Sequence, residues 1–175
     1  QGMKWLVFAA IPSALILSTT THLTTDIMAL PLLWVLPLAL YLLSFVIAFS
    51  ANSQIASVIV RHARLPLALF GILALSTDAF EVPVTGFASL AFLFIAGLTF
   101  HRQLFDERPN REGLTAFYII LATGGALGGL LVAIIAPLIF SWAYEYPILV
   151  VAGIALSQQG TSERTSVLVA IFLAI

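Results

Sequence analysis

The feature that most limits what this chain can fold into is a succession of apolar runs with few charges between them. They lie near residues 5–21, 27–50, 65–77, 84–101, 114–140 and 147–157, and a seventh begins near 165. A helix that spans a bilayer needs about 20 apolar residues. Across the 175 residues, 61 % are hydrophobic and only 9 % are charged, against about 25 % charged in a soluble domain. One modest soluble core could not hide that much apolar surface. The sequence therefore predicts an all-α, polytopic transmembrane helix bundle of about six or seven spans, forming a single domain over residues 1–175, with the lipid bilayer as its solvent. The third and sixth runs are short. Either "IASVIV" (55–60) extends the third through Arg61 and Arg64, or that helix is tilted or half-spanning.

The basic residues orient this bundle. Lys4 precedes the first run, Arg61 and Arg64 precede the third, Arg102, Arg108 and Arg111 lie between the fourth and fifth, and Arg164 precedes the seventh. With alternating spans, all seven fall on one side. The other side carries Asp26, Asp78, Glu81 and Glu145 and no base. The positive-inside rule then puts the N-terminus and the 101–113 loop in the cytoplasm. The expected location is the bacterial cytoplasmic membrane.

A net charge of −1 without a basic patch gives no sign of nucleic-acid binding. Absence of cysteine excludes disulfide and thiolate chemistry. The start, Gln1-Gly2-Met3-Lys4-Trp5, is not a normal signal peptide, and the last residues stop inside an apolar run. The expectation is a fragment of a longer polypeptide.

Two features shape the helices. Pro31 and Pro37 in the second run each remove a backbone N–H, which predicts a kink, with Pro31 near the first turn and Pro37 bending the helix. A broken helix lining a cavity is the functional alternative. In "ATGGALGGLLVA", Gly124 with Gly128 and Gly125 with Gly129 form overlapping G-x-x-x-G pairs that permit close helix approach. Packing within the bundle is the preferred reading, and a partner helix or homodimer face is the alternative.

Candidate chemistry lies at the boundaries. His22 and Asp26 are spaced i, i+4 and would share a helical face. Asp26 also stands where an N-cap of the second helix belongs, as do Thr24 and Thr25. Should the outer loops converge, His22, Asp26, Asp78, Glu81 and Glu145 would form a negative mouth that concentrates cations; solvated surface is the plainer reading. His62 and His101 flank basic residues. Any of the three histidines could ligate a metal or a porphyrin-type pigment, but none belongs to an H-x-x-x-H pair. No metal site and no cofactor are assigned, and no hydrolase, P-loop or dinucleotide motif is present.

"TTTHLTTDIMALPLLWVLPLALYLLSF", "HRQLFDERPNREGLTAFYIILATGGALGGLLVAIIAPLIF" and "YEYPILV" together resemble the membrane region of the spermidine synthase-like integral membrane proteins, the fused major-facilitator/spermidine synthase family. The resemblance covers most of residues 3–152. It implies a multi-helix membrane region placed before a soluble aminopropyltransferase-like domain. That domain needs a glycine-rich nucleotide-binding turn and polyamine-holding acidic residues, which no segment here supplies, so no catalytic residue is carried over. The expected function is a non-catalytic membrane domain that anchors a soluble domain and binds or conducts a small cationic solute. The alternative is an accessory subunit packed against a larger membrane complex, respiratory or photosynthetic, through the glycine face and exposed aromatics such as Trp5, Trp34 and Trp142.

Overall fold

The computed structural model describes residues 1–27, 32–50, 54–76, 82–140 and 144–157, and every element among them is helical. Helix α1 (Gly2–His22) continues into a π-helical turn, Leu23–Ile27. Then come α2 (Val35–Phe49), α3 (Gln54–Arg61), α4 (Arg64–Leu75) and α5 (Val82–Asp106). A 3-10 turn at Arg111–Gly113 leads into α6 (Leu114–Leu130), a second π-helical turn (Leu131–Ile135), α7 (Ala136–Ile139) and finally α8 (Glu145–Ser157).

Among the described residues, three helical stretches are long and apolar enough to cross a membrane: Gly2–Thr25, Pro83–Asp106 and Arg111–Ile139. This is fewer than the six or seven spans expected from the apolar runs. The second, third and sixth runs form the shorter helices Val35–Phe49, Arg64–Leu75 and Glu145–Ser157. At 1.5 Å per residue the longest of these reaches about 22 Å, short of the roughly 30 Å hydrocarbon layer. The run beginning near 165 lies outside the described residues, as does Arg164.

Proline explains several of the breaks. Pro66 stands in the first turn of α4, and its ring opposes the carbonyl four residues earlier, at His62. The chain accordingly turns at His62–Ala63 and separates α3 from α4. Ala133, inside the second π-helical turn, is four residues before Pro137; a local π turn is a common way to absorb the missing N–H. Ile27 bears the same relation to Pro31, which itself lies outside the described residues. α2 starts only at Val35, so Pro37 occupies its first turn, where a helix has no use for the N–H, rather than bending it midway. Nor does Asp26 begin that helix: its backbone belongs to the π turn that prolongs α1, and Trp34 is the residue before α2.

α5 is the central element and packs against α1, α2, α3, α4 and α8. The main core gathers Phe8 and Leu15 of α1, Leu67 of α4, Phe92 and Phe100 of α5 and Val150 of α8. α6 lies outside this group and packs chiefly on α1, which it follows in parallel. Its glycines set that distance. A Cβ on Gly124 would stand 2.5 Å from the Leu6 carbonyl oxygen, and one on Gly128 would overlap the Ala10 carbonyl. Gly125 has no neighbour within 4 Å of such an atom, and Gly129 makes only ordinary contact with Leu17 and Ser13. The two pairs thus differ: Gly124 and Gly128 face α1 within the same chain, while Gly125 and Gly129 turn partly outward.

Lys4, Arg102 and Arg108 gather at the end of the bundle where α1 begins and α5 finishes. Lys4 pairs with Glu107, and Arg102 pairs with Asp106 at 3.1 Å. Arg108 and Arg102 both lie over the Phe105 ring, at 3.9 and 4.9 Å from its centroid. The opposite end holds the C-terminus of α1 and the first turns of α5 and α8.

A buried polar layer as the candidate functional site

Helix register assembles polar side chains inside that opposite end. α1 and α5 run antiparallel, with Phe8 against Phe100 at 5.5 Å between ring centroids. Moving eleven residues up α1 and eleven back along α5 brings Thr19 level with Ser89. α1 and α8 are also antiparallel, with Leu15 near Gly153. Seven residues further on α1, and seven back on α8, His22 stacks on Tyr146: ring centroids 4.3 Å apart, planes 13° from parallel. Ser18, Thr19, His22, Thr85, Ser89 and Tyr146 are all buried, none more than 6 % exposed.

Their hydrogen bonding is lopsided. The Ser18 hydroxyl donates to Leu15 O at 3.2 Å and the Ser89 hydroxyl to Thr85 O at 2.9 Å. Such bonds to the preceding turn consume the only proton a hydroxyl has and leave its lone pairs facing its neighbours. Thr20, Thr24 and Thr25 act likewise, donating to Ile16 O, Thr20 O and Thr21 O at 2.6–2.8 Å, so Thr24 and Thr25 cap no helix. Among the described residues, Thr19 Oγ1 and the Tyr146 hydroxyl are buried without a completed hydrogen bond, the latter facing Ser89. A buried polar group left unpaired costs about 1–3 kcal/mol. The layer therefore holds spare lone pairs on every hydroxyl and, at Thr19 and Tyr146, unspent protons as well.

Among the sequence candidates, the structure places His22 in this layer, buried rather than on an open rim. Glu145 is half-buried in the first turn of α8, adjacent to Tyr146. Asp78, Glu81 and the side chain of Asp26 lie outside the described part, so the four-acid mouth is represented there by Glu145 alone. Sequence reading missed Thr19, Ser89 and Tyr146. A signal existed, since Ser18, Thr19 and His22 recur at helical spacing within an apolar helix.

A second buried histidine sits toward the basic end. His101, 2 % exposed, has Nδ1 at 3.1 Å from Ser44 Oγ. Ser44 Oγ is only 2.7 Å from Tyr41 O. That shorter contact takes the single hydroxyl proton, so the ring donates from Nδ1 to Ser44. Gly97 makes the approach possible, because a Cβ there would stand 2.8 Å from Ser44 Oγ. Tyr41 and Phe45 meet the imidazole edge-on at 5.2 and 5.1 Å. With its hydrogen bond and aromatic walls, His101 is a packed, satisfied core residue. Among the described residues, no three His, Asp or Glu side chains converge as a metal site would require.

Comparison with protein-family models, with curated protein sequences and with solved structures yields no match to this chain.

Proposed function

We propose that this chain is a non-catalytic, multi-span membrane domain, of the kind found in spermidine synthase-like membrane proteins, which anchors a soluble domain and binds a small cationic solute. The membrane placement is supported by the three long apolar helices and by outward-facing residues such as Leu138 (81 % exposed) and Ile119 (61 %). The solute reading is carried by the layer around His22 and Tyr146. The spare hydroxyl lone pairs of Ser18, Thr19, Ser89 and Tyr146 can accept from a protonated amine, which only donates. Polar groups held inside a membrane bundle commonly mark solute pathways.

The test is spermidine or putrescine binding to the protein in lipid nanodiscs, by calorimetry, for the wild type and for Thr19→Val and Tyr146→Phe. Saturable binding that both variants weaken is expected. Heat identical to empty nanodiscs would remove the solute reading. Intact mass of the natively purified protein tests the anchoring role, which requires a longer polypeptide with a soluble domain.

A second reading, an accessory subunit of a larger membrane complex, is favoured by the open surface at Gly125 beside exposed Leu127 and Leu130. Stoichiometric co-purification with a large complex in mild detergent is its signature.

A further inference from the structure

A groove of about 270 Å³ opens on the outer flank of α1, between the second π-helical turn, α7 and α8. Its wall is formed by Ala14, Val132, Ala136, Ile139 and Leu149, and the one ionisable residue lining it is Glu145. Ile139 and the neighbouring Ile148 are 68 % and 52 % exposed, so the groove is continuous with the apolar outer surface of the bundle. Glu145 makes no ion pair among the described residues. Lys4 and Arg102 are committed to Glu107 and Asp106 at the far end, and no described base is paired with the Glu145 carboxylate. The N-terminus of α8 offsets its charge only in part, and an isolated carboxylate at a lipid-facing position is unfavourable without a cationic partner.

We infer that the groove holds one acyl chain of a phospholipid whose headgroup is a primary ammonium, with that ammonium on Glu145. The apolar wall takes the chain, and the carboxylate accepts charge-assisted hydrogen bonds from the –NH₃⁺ group. A quaternary ammonium has no proton to donate, and an anionic headgroup is repelled. Selectivity thus follows the order primary amine, then choline, then glycerol headgroups. The groove lies beside the buried layer and is separate from the cationic-solute site; the inference shares only the membrane placement proposed above.

The experiment is electron paramagnetic resonance of acyl-chain spin-labelled phosphatidylethanolamine, phosphatidylcholine and phosphatidylglycerol with the full chain in phosphatidylcholine vesicles. The motionally restricted fraction gives relative association. The wild type is expected to favour phosphatidylethanolamine over phosphatidylglycerol by about fivefold, equivalent to ~1 kcal/mol. Glu145→Gln should bring the three lipids to near equality. Ile139→Trp, which fills the groove from its exposed side, should lower the restricted fraction of all three without changing the thermal melt. Equal association of the three lipids with the wild type overturns the inference, as does a preference that survives Glu145→Gln. Protein that fails to float with the vesicles overturns the membrane placement itself.

Discussion

The His22 ring lies flat against the Tyr146 ring, 4.3 Å away and 13° from parallel, although the two residues are 124 positions apart in sequence. This contact ties the C-terminal end of α1 to the first turn of α8. It also points the Tyr146 hydroxyl toward Ser89 without completing a bond.

Tyr146→Phe keeps the ring and removes that hydroxyl. Without added solute, the variant should be more stable than the wild type by about 1 kcal/mol, since an unpaired buried group is deleted. The thermal melt in detergent measures this. The stabilisation by added polyamine should shrink at the same time. A variant that melts lower without solute would mean that the hydroxyl already has a partner such as a buried water.

The two glycine pairs should respond oppositely to alanine. Gly128→Ala pushes a methyl into the Ala10 carbonyl and should destabilise by about 2 kcal/mol or more through forced separation of α1 and α6. Gly125→Ala meets open space and should gain up to about 1 kcal/mol from helix propensity. Denaturant titration followed by circular dichroism separates them.

Ser44→Ala deletes the acceptor for His101 Nδ1 in a site that is 2 % exposed. A loss of about 1–3 kcal/mol follows from leaving a buried donor unpaired. Ser44→Thr retains the oxygen but adds a methyl where Gly97 already limits space, so it should rescue only partly. The same unfolding titration reports both.

Leu32 has φ of +69° in the turn before α2 and is 69 % exposed. An L-residue held there is strained by about 1–2 kcal/mol. Leu32→Gly relieves that strain, loses little packing and adds entropy to the unfolded chain, for a net gain of about 0.5 kcal/mol. A lower melting temperature would show that the Leu32 side chain holds a packing contact.

The sequence by itself determined the helical class, the gathering of bases near Lys4 and the 101–113 segment, and the capacity of the 124–129 stretch for close approach. These are properties of single segments: run length, charge position and residue size. It could not say that α1 supplies the backbone against Gly124 and Gly128, because a small-residue ridge specifies a distance and leaves the neighbour open. Nor did the apolar runs reveal where α2 and α4 begin. Those starts follow from where a proline sits in a turn, as at Pro66, and from the left-handed backbone of Leu32 ahead of α2. Above all, the buried polar layer was invisible, since Ser18, Ser89 and Tyr146 are unremarkable on their own helices. Only the antiparallel registers of α1 with α5 and α8 bring them to one level, and register is set by the packing of Phe8 on Phe100 and of Leu15 on Gly153 far from the layer itself.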